Sequence, residues 1–174
     1  MWDRTQRLDR WLMRHSFGAR SPALDRSLVT VTQAANYSRL WLLIAIPMVV
    51  FGGGGGRRAA KHGLMALVVA ATVANGPAKL LVRRRRPHSR PTLIRMPRST
   101  SFPSGHTAAA FAFTTGACAD LPVLTTVLVP LASVVAYSRV HTGVHYPSDV
   151  AAGIGIGIGS GLLVTHPSRC FHTR

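Results

Sequence analysis

Residues 150–165 read VAAGIGIGIGSGLLVT, and the fold turns on what that run is. Glycines at 153, 155, 157, 159 and 161 alternate with Ile154, Ile156 and Ile158. A period of two by itself suggests a strand. The run carries no charge after Asp149, however, and it has four counterparts: Leu40–Gly56, Gly63–Ala78, Ser99–Ala119 and Leu121–Ser138. Each is near or slightly below the roughly 20 residues that span a bilayer core. In lipid a lone strand leaves its backbone N–H and C=O groups unpaired, whereas a helix satisfies them internally. Glycine at i and i+4 also permits close helix packing. The run is therefore expected to be a tightly packed helix, and the chain an all-α polytopic bundle of about five transmembrane spans.

Composition agrees. The 174 residues suit one domain. Residues of the AVILMFWYC set make up 47% and mean hydropathy is +0.21, yet Lys and Arg total 21 against five acids, a formal charge of +16. A soluble basic protein accounts for the charge but not for the apolar blocks. A soluble bundle with buried helices is the alternative; snorkelling Arg and Lys stems at the block edges answer its main argument, that the blocks are short. Cys118 and Cys170 lack ligand-like spacing, and Cys118 is expected to pack as a small hydrophobe. No cleavable signal peptide is expected, since the first apolar block begins only at Leu40.

Residues 1–38 read as an amphipathic interfacial segment. Arg4, Arg7, Arg10 and Arg14 recur on one helical face, Leu8 and Leu12 lie on another, and Trp2 and Trp11 are types favoured at headgroup level. Pro22 suits the start of a second short helix through Leu28 and Val31. The membrane-embedded core is expected over 39–166 and a basic C-terminal tail over 167–174. Within the core, Gly52–Gly56 reads as a flexible turn. The second span ends at Arg83–Arg86, and Pro87, Pro91, Pro97 and Pro103 make the following segment irregular.

Three motifs border these spans, and alternating the spans across the membrane brings all three to one side. Lys79 followed by Arg86-Pro87 supplies fixed cations for an oxyanion, the Arg as a planar fork and the Lys as a point charge. Pro103-Ser104-Gly105-His106 offers a hydroxyl, a small residue that lets backbone approach an anion, and the amides of a helix start. His106 can move a proton near neutral pH. Ser138-Arg139, His145 and Asp149 complete the set. His145 and Asp149, four apart, can share a helical face, where a carboxylate fixes the imidazole tautomer and leaves the other nitrogen nucleophilic.

Together the motifs resemble the signature of the type 2 phosphatidic acid phosphatase superfamily, which also holds bacterial acid phosphatases and vanadium haloperoxidases. They read KLLVRRRRP (79–87), PSGH (103–106) and SRVHTGVHYPSD (138–149), with every defining position filled. The resemblance implies that His145 attacks phosphorus, Asp149 orients it, and His106 protonates the leaving oxygen and later activates water. Lys79, Arg86, Ser104, Gly105 and Arg139 would bind the phosphoryl oxygens. It implies no metal and no cofactor. HTGVH (141–145) lacks the glutamate of a zinc HExxH motif, so His141 is expected to be a mouth or loop residue.

The expected partners are a lipid phosphate and membrane lipids, with no nucleic acid; self-association is left open. Candidate substrates are a polyprenyl diphosphate, a polyprenyl-linked phosphosugar such as a polyprenylphosphoryl phosphoribose, phosphatidic acid or phosphatidylglycerophosphate. A vanadium haloperoxidase is the rival enzyme. A basic membrane protein that binds anionic lipid or nucleic acid through Arg83–Arg86 is the non-enzymatic rival, and it leaves His106, His145 and Asp149 unexplained. Membrane members commonly carry a span before the amphipathic segment, and this chain begins without one. Alternation puts Arg57, Arg58, Lys61, Arg169 and Arg174 opposite the motifs and the other 16 of the 21 basic residues on the motif side or its edge. The positive-inside rule then favours a cytoplasmic site in a bacterial plasma membrane.

Overall fold

The computed structural model describes residues 2–15, 21–87 and 92–170, and side chains within 4–15, 21–87 and 92–166. Helices form α1 (Trp2–His15), α2 (Pro22–Ala34), α3 (Arg39–Phe51), α4 (Gly53–Asn75), α5 (Pro77–Leu81), α6 (Gly105–Asp120), α7 (Thr125–His141) and α8 (Pro147–Cys170). No strand occurs among the described residues. The VAAGIGIGIGSGLLVT run is helical throughout, inside α8. Of the expected C-terminal tail, 167–170 continue that helix and 171–174 lie outside the described residues, as do Pro91 and the side chain of Trp2.

Three segments are long and apolar enough to cross a membrane: Gly53–Leu81, Pro122–His141 and Pro147–His166. Pro22–Ala34 with Asn36–Phe51, bent by 64°, makes a fourth if taken as one span. The third expected span is the 16-residue α6, which sits in the middle of the bundle with α4 and α8 against it and α7 alongside.

Small residues make that centre possible. Ala108, Ala109, Ala110, Ala112 and Ala117 of α6 are buried, as are Ala59, Ala60, Ala66, Ala70 and Ala74 of α4. Trp41 and Phe113 are the large exceptions inside; many other large side chains point outward: Leu42, Leu43 and Ile46 on α3, Val68 on α4, Val127 on α7, Leu162 and Leu163 on α8 are all exposed. Apolar bulk outside and small residues inside is the pattern of helices held by close packing in lipid. Alternation along α8 follows from it. Gly153, Gly157 and Gly161, four apart, face α6 so closely that added Cβ atoms would strike Ser104, Ala108 and Thr115, while Gly155 and Gly159 face open space.

The Gly52–Gly56 turn is shorter than expected. The chain reverses at Gly52–Gly53, where Gly53 takes φ +57°, and α4 then runs through Gly54–Gly56. Gly56 donates its N–H to Gly52 O at 2.8 Å, and its α-carbon passes so near the Met48 carbonyl that a Cβ would collide. Gly56 thus serves a tight α3–α4 crossing inside a helix, and flexibility is needed only at the reversal.

His141 also departs from expectation. It ends α7 buried, with Nε2 at 2.7 Å from Asp25 Oδ1, so it ties α2 to α7. Cys118 packs against the main apolar cluster, as expected of a small hydrophobe.

Gly157→Ala is expected to lower stability by about 1–3 kcal/mol through overpacking against the α6 backbone, whereas Gly155→Ala is neutral or gains up to about 1 kcal/mol from helix propensity. Thermal unfolding in detergent checks this: a fall in Tm for the first and none for the second. Equal effects at both positions would contradict a glycine face on α6.

Candidate active site

The ends of α4, α6 and α7, the bend between α2 and α3, and the 94–99 segment frame a cavity of about 830 Å³ on one side of the bundle. Lys79, Arg86, Gly105, His106, Arg139 and His145 all line it. Ser104 and Asp149 stand behind the wall, both fully buried. The three motifs therefore converge on one cavity.

Each residue is placed by a local stop signal. α4 ends at Gly76-Pro77, and the short α5 carries Lys79 back over Asn75, whose Oδ1 accepts from Lys79 Nζ at 2.9 Å. The chain then leaves helical structure through 82–87, with the Arg84 N–H turned back onto Val82 O at 2.9 Å, and its arginines alternate: Arg84 and Arg86 are buried, Arg83 and Arg85 exposed. α7 stops at Gly143, with φ +79°, a left-handed C-terminal cap. The loop curls back so that His145 N donates to Arg139 O at 3.2 Å, and Pro147 starts α8 with Asp149 in its first turn.

His145 is almost wholly buried. Its Nε2 lies 3.3 Å from Arg86 Nη1. A guanidinium only donates, so Nε2 carries the lone pair and the ring proton sits on Nδ1. Nδ1 faces Asp149 Oδ2 at 3.6 Å, an ion-pair distance just beyond a hydrogen bond, and has no other partner. Burial pushes the imidazole pKa down to about 4; Asp149 opposes that shift, and Arg139 and Arg86 reinforce it. The ring is therefore neutral near pH 7, with an unprotonated nitrogen at the cavity wall.

Asp149 is held more firmly than pairing with His145 would require. Oδ1 accepts from Arg84 Nη1 at 2.8 Å, and Oδ2 accepts from Ser101 Oγ at 2.6 Å and the Tyr146 N–H at 2.9 Å. Arg84 Nη2 also donates to Asp9 Oδ2 of α1 at 2.7 Å, and Ser148 N–H donates to Asp9 Oδ1 at 3.0 Å. Arg84, Ser101 and Asp9 carry no motif signal; only the structure brings them to Asp149.

The cationic floor is formed by Lys79, Arg86 and Arg139. Arg86 is fixed by Ser99 O and Val144 O, both at 2.8 Å, and burial lowers its pKa somewhat without discharging it. Arg139 is fully buried, donates from Nη1 to Thr32 Oγ1, and leaves its Nε–H without a partner. That orphan donor in a buried guanidinium fits an anion. Arg95 and Arg98 add exposed cations at the rim.

Two expected contacts differ in detail. The Ser104 hydroxyl bonds Thr107 Oγ1 at 2.9 Å, away from the cavity. At Gly105 an added Cβ would sit 2.9 Å from Asn75 Oδ1, so the small residue also admits the Lys79 partner. His106 Nε2–H donates to Asn36 Oδ1 at 2.8 Å. Asn36 lies in the bend between α2 and α3, where Tyr37 and Ser38 both take left-handed φ (53° and 59°). Among the described residues no group of three His, Cys, Asp or Glu side chains could hold a metal ion.

The PAP2 superfamily profile matches residues 60–169, well over half the sequence. The chain belongs to the PAP2 superfamily. Decaprenylphosphoryl-5-phosphoribose phosphatase of Mycobacterium tuberculosis is 38% identical over 131 residues, 71% of this chain and 69% of the relative. Undecaprenyl-diphosphatase BcrC of Bacillus subtilis is 30% identical over 154 residues, 86% and 77% of the two chains. Among solved structures, Aquifex aeolicus LpxE superposes with a TM-score of 0.76 at 25% identity, covering 91% of this chain and 95% of that one. The transmembrane PAP2-type phosphatidylglycerolphosphate phosphatase of Bacillus subtilis gives 0.77 at 23% identity, covering 97% and 89%, a likeness of fold. With the family come the class and the setting: a metal-independent lipid phosphatase integral to a membrane. The haloperoxidase and non-enzymatic readings fall away, since these relatives are phosphatases.

The depressed His145 pKa has a direct check. The ¹⁵N shifts of His145 in the detergent-solubilised protein are expected to report a neutral ring until pH falls to about 4. Titration at the ordinary histidine value near 6.5 would contradict a desolvated, lone-pair-bearing nitrogen.

Proposed function

We propose that the cavity hydrolyses the terminal phosphate monoester of a polyprenyl-linked phosphosugar, through a phosphohistidine at His145, on the cytoplasmic face of a bacterial plasma membrane. The observation that carries this reading is the unprotonated Nε2 of His145 at the wall of a cationic cavity, with Asp149 behind Nδ1.

In the first step Nε2 forms a bond to phosphorus as the bond from phosphorus to the sugar oxygen breaks, and His106, made imidazolium beside the phosphate dianion, keeps its Nε2–H on Asn36 and gives its Nδ1 proton to that oxygen. Asp149 stabilises the proton on Nδ1 as the ring becomes cationic. Arg86 turns its Nη1 from His145 to a phosphoryl oxygen, while Lys79 and the free Nε–H of Arg139 take the others. The N–H groups at the start of α6, beside Gly105, add positive potential. The Ser104 hydroxyl reaches the phosphate by giving up Thr107. In the second step His106 takes a proton from water, which attacks the phosphohistidine and releases phosphate. Asn36 orients His106 for both proton transfers.

Substrate class follows from the cavity and from relatedness. A single phosphate does not fill about 830 Å³, which leaves room for a sugar ring. Rim arginines 95 and 98 suit the second phosphate that joins such a sugar to its lipid. The mycobacterial relative is named for a substrate of this kind. A polyprenyl diphosphate, as in the name of BcrC, is the second reading, because its two phosphates suit the same floor and rim. We take 39–166 as the embedded core and α1 as interfacial, with Leu8 and Trp11 exposed toward lipid. The charge distribution supports the cytoplasmic side.

Inverted membrane vesicles, with their cytoplasmic face outward, test class and side together. Phosphate release from added polyprenyl phosphosugar is expected to exceed that from phosphatidic acid and polyprenyl diphosphate, and to vanish in His145→Ala. Intact spheroplasts should release little from the same lipid. Preference for phosphatidic acid would overturn the substrate class, and release by spheroplasts alone would overturn the side.

A further inference from the structure

A second groove, of about 590 Å³, lies between α1 and the non-helical segment 82–85. It shares no lining residue with the catalytic cavity. Its walls are Gln6 and Arg10 from α1, Leu81 from the end of α5, Val82, Arg83, Arg84 and Arg85 from the segment, and Tyr146 from the loop before α8. From this groove we infer a binding site for the phosphate headgroup of an anionic phospholipid of the host bilayer, separate from the lipid being hydrolysed.

The alternation along 82–87 generates it. Arg84 and Arg86 turn inward and are saturated by Asp9, Asp149 and backbone carbonyls. Arg83 and Arg85 emerge on the other side, both exposed, where Arg10 joins them from α1. The described carboxylates are already committed: Asp9 and Asp149 to Arg84, Asp25 to His141, Asp120 to His62. Four guanidiniums therefore share one groove, only Arg84 is answered by described carboxylates, and an external anion relieves the mutual repulsion of Arg10, Arg83 and Arg85. Arginine forks suit phosphate oxygens bidentately, and Gln6 adds an uncharged donor.

The rim selects a lipid over a soluble anion. Leu80 and Leu81 are 70% and 82% exposed just where the Gly53–Leu81 span ends, at the depth where acyl chains meet headgroups. Trp11 and Leu8, on the same helix as Arg10, are 50% and 55% exposed. A phosphodiester headgroup in the groove with its tails along these side chains satisfies both surfaces. The segment thus faces two anions, the built-in Asp149 on one side and a bilayer phosphate on the other.

Native mass spectrometry of the full chain in non-ionic detergent reads binding without turnover, so its outcome is independent of the activity proposed for the cavity. Wild type is expected to retain phosphatidylglycerol over phosphatidylcholine by about tenfold or more, with the preference weakening in salt. The Arg10→Gln, Arg83→Gln, Arg85→Gln triple variant should lose the preference while its Tm and its hydrolysis of an aryl phosphate stay near wild type. Should the triple variant unfold, Arg85→Gln alone, exposed and outside both buried ion pairs, is expected to lower the preference by a few-fold. An unchanged preference in the folded variant would overturn the site. Displacement of phosphatidylglycerol by an equal concentration of inorganic phosphate would overturn the lipid assignment, because the groove would then be taking the phosphate alone.

Discussion

The buried ion pair between Arg84 and Asp149 is the constraint on which the rest of the structure depends. Asp149 has no exposed surface, and a carboxylate in that position is costly unless its charge is answered and its lone pairs are filled. Arg84 answers the charge, and Ser101 and the Tyr146 amide fill what remains. Arg84 is then shared with Asp9, so two carboxylates and one guanidinium form a network that joins α1, the 82–87 segment, the loop before α6 and the start of α8. Taking one partner from such a group typically costs about 3–5 kcal/mol, because a charge is left buried and unpaired. The stacking of Arg84 on the Tyr146 ring, 4.0 Å from guanidinium carbon to ring centre, holds it over the same junction. His145 inherits its orientation from this network, since Asp149 is immobile behind it.

The second constraint is packing. In lipid the apolar side chains gain little by turning inward, so helices associate where their backbones can meet. α6 is built for that role, with alanines on the sides that face α4 and α8, and Gly153, Gly157 and Gly161 give α8 the matching surface. The start of α6 is held to α8 directly, through Ser104 N–H to the Asp149 carbonyl at 3.0 Å. Close packing therefore sets the distance between His106 on one helix and His145 before the other. Chemistry and membrane architecture meet at that point.

Much of this was legible in the sequence because it rests on local spacing. The Lys79 to Arg86 interval, Pro-Ser-Gly-His and the His145–Asp149 step each lie within a few turns of chain, and a count of spans is enough to bring them to one side. The helix in VAAGIGIGIGSGLLVT was legible once the lipid solvent was considered, even though its period pointed to a strand. What could not be read depends on tertiary proximity. Asn36 meets His106 across 70 residues, Arg84 meets Asp9 across 75, and Asp25 meets buried His141 across 116. Nothing in local composition marks those pairings, and the two inward arginines of the Arg83–Arg86 run look like their outward neighbours. The glycine run misled for a related reason. Glycine signals both freedom and closeness, and only the Met48 carbonyl lying against Gly56 separates the two.

The central claim is that phosphate passes through His145. Rapid quenching of the purified enzyme with a ³²P-labelled lipid phosphate, followed by peptide mapping, tests it most directly. An acid-labile, base-stable label on His145 should form within the first turnover and decay on a chase with unlabelled substrate. His145→Ala should carry no label and release no phosphate. Turnover with no label on His145, or a kinetically competent label on another residue, would contradict the account.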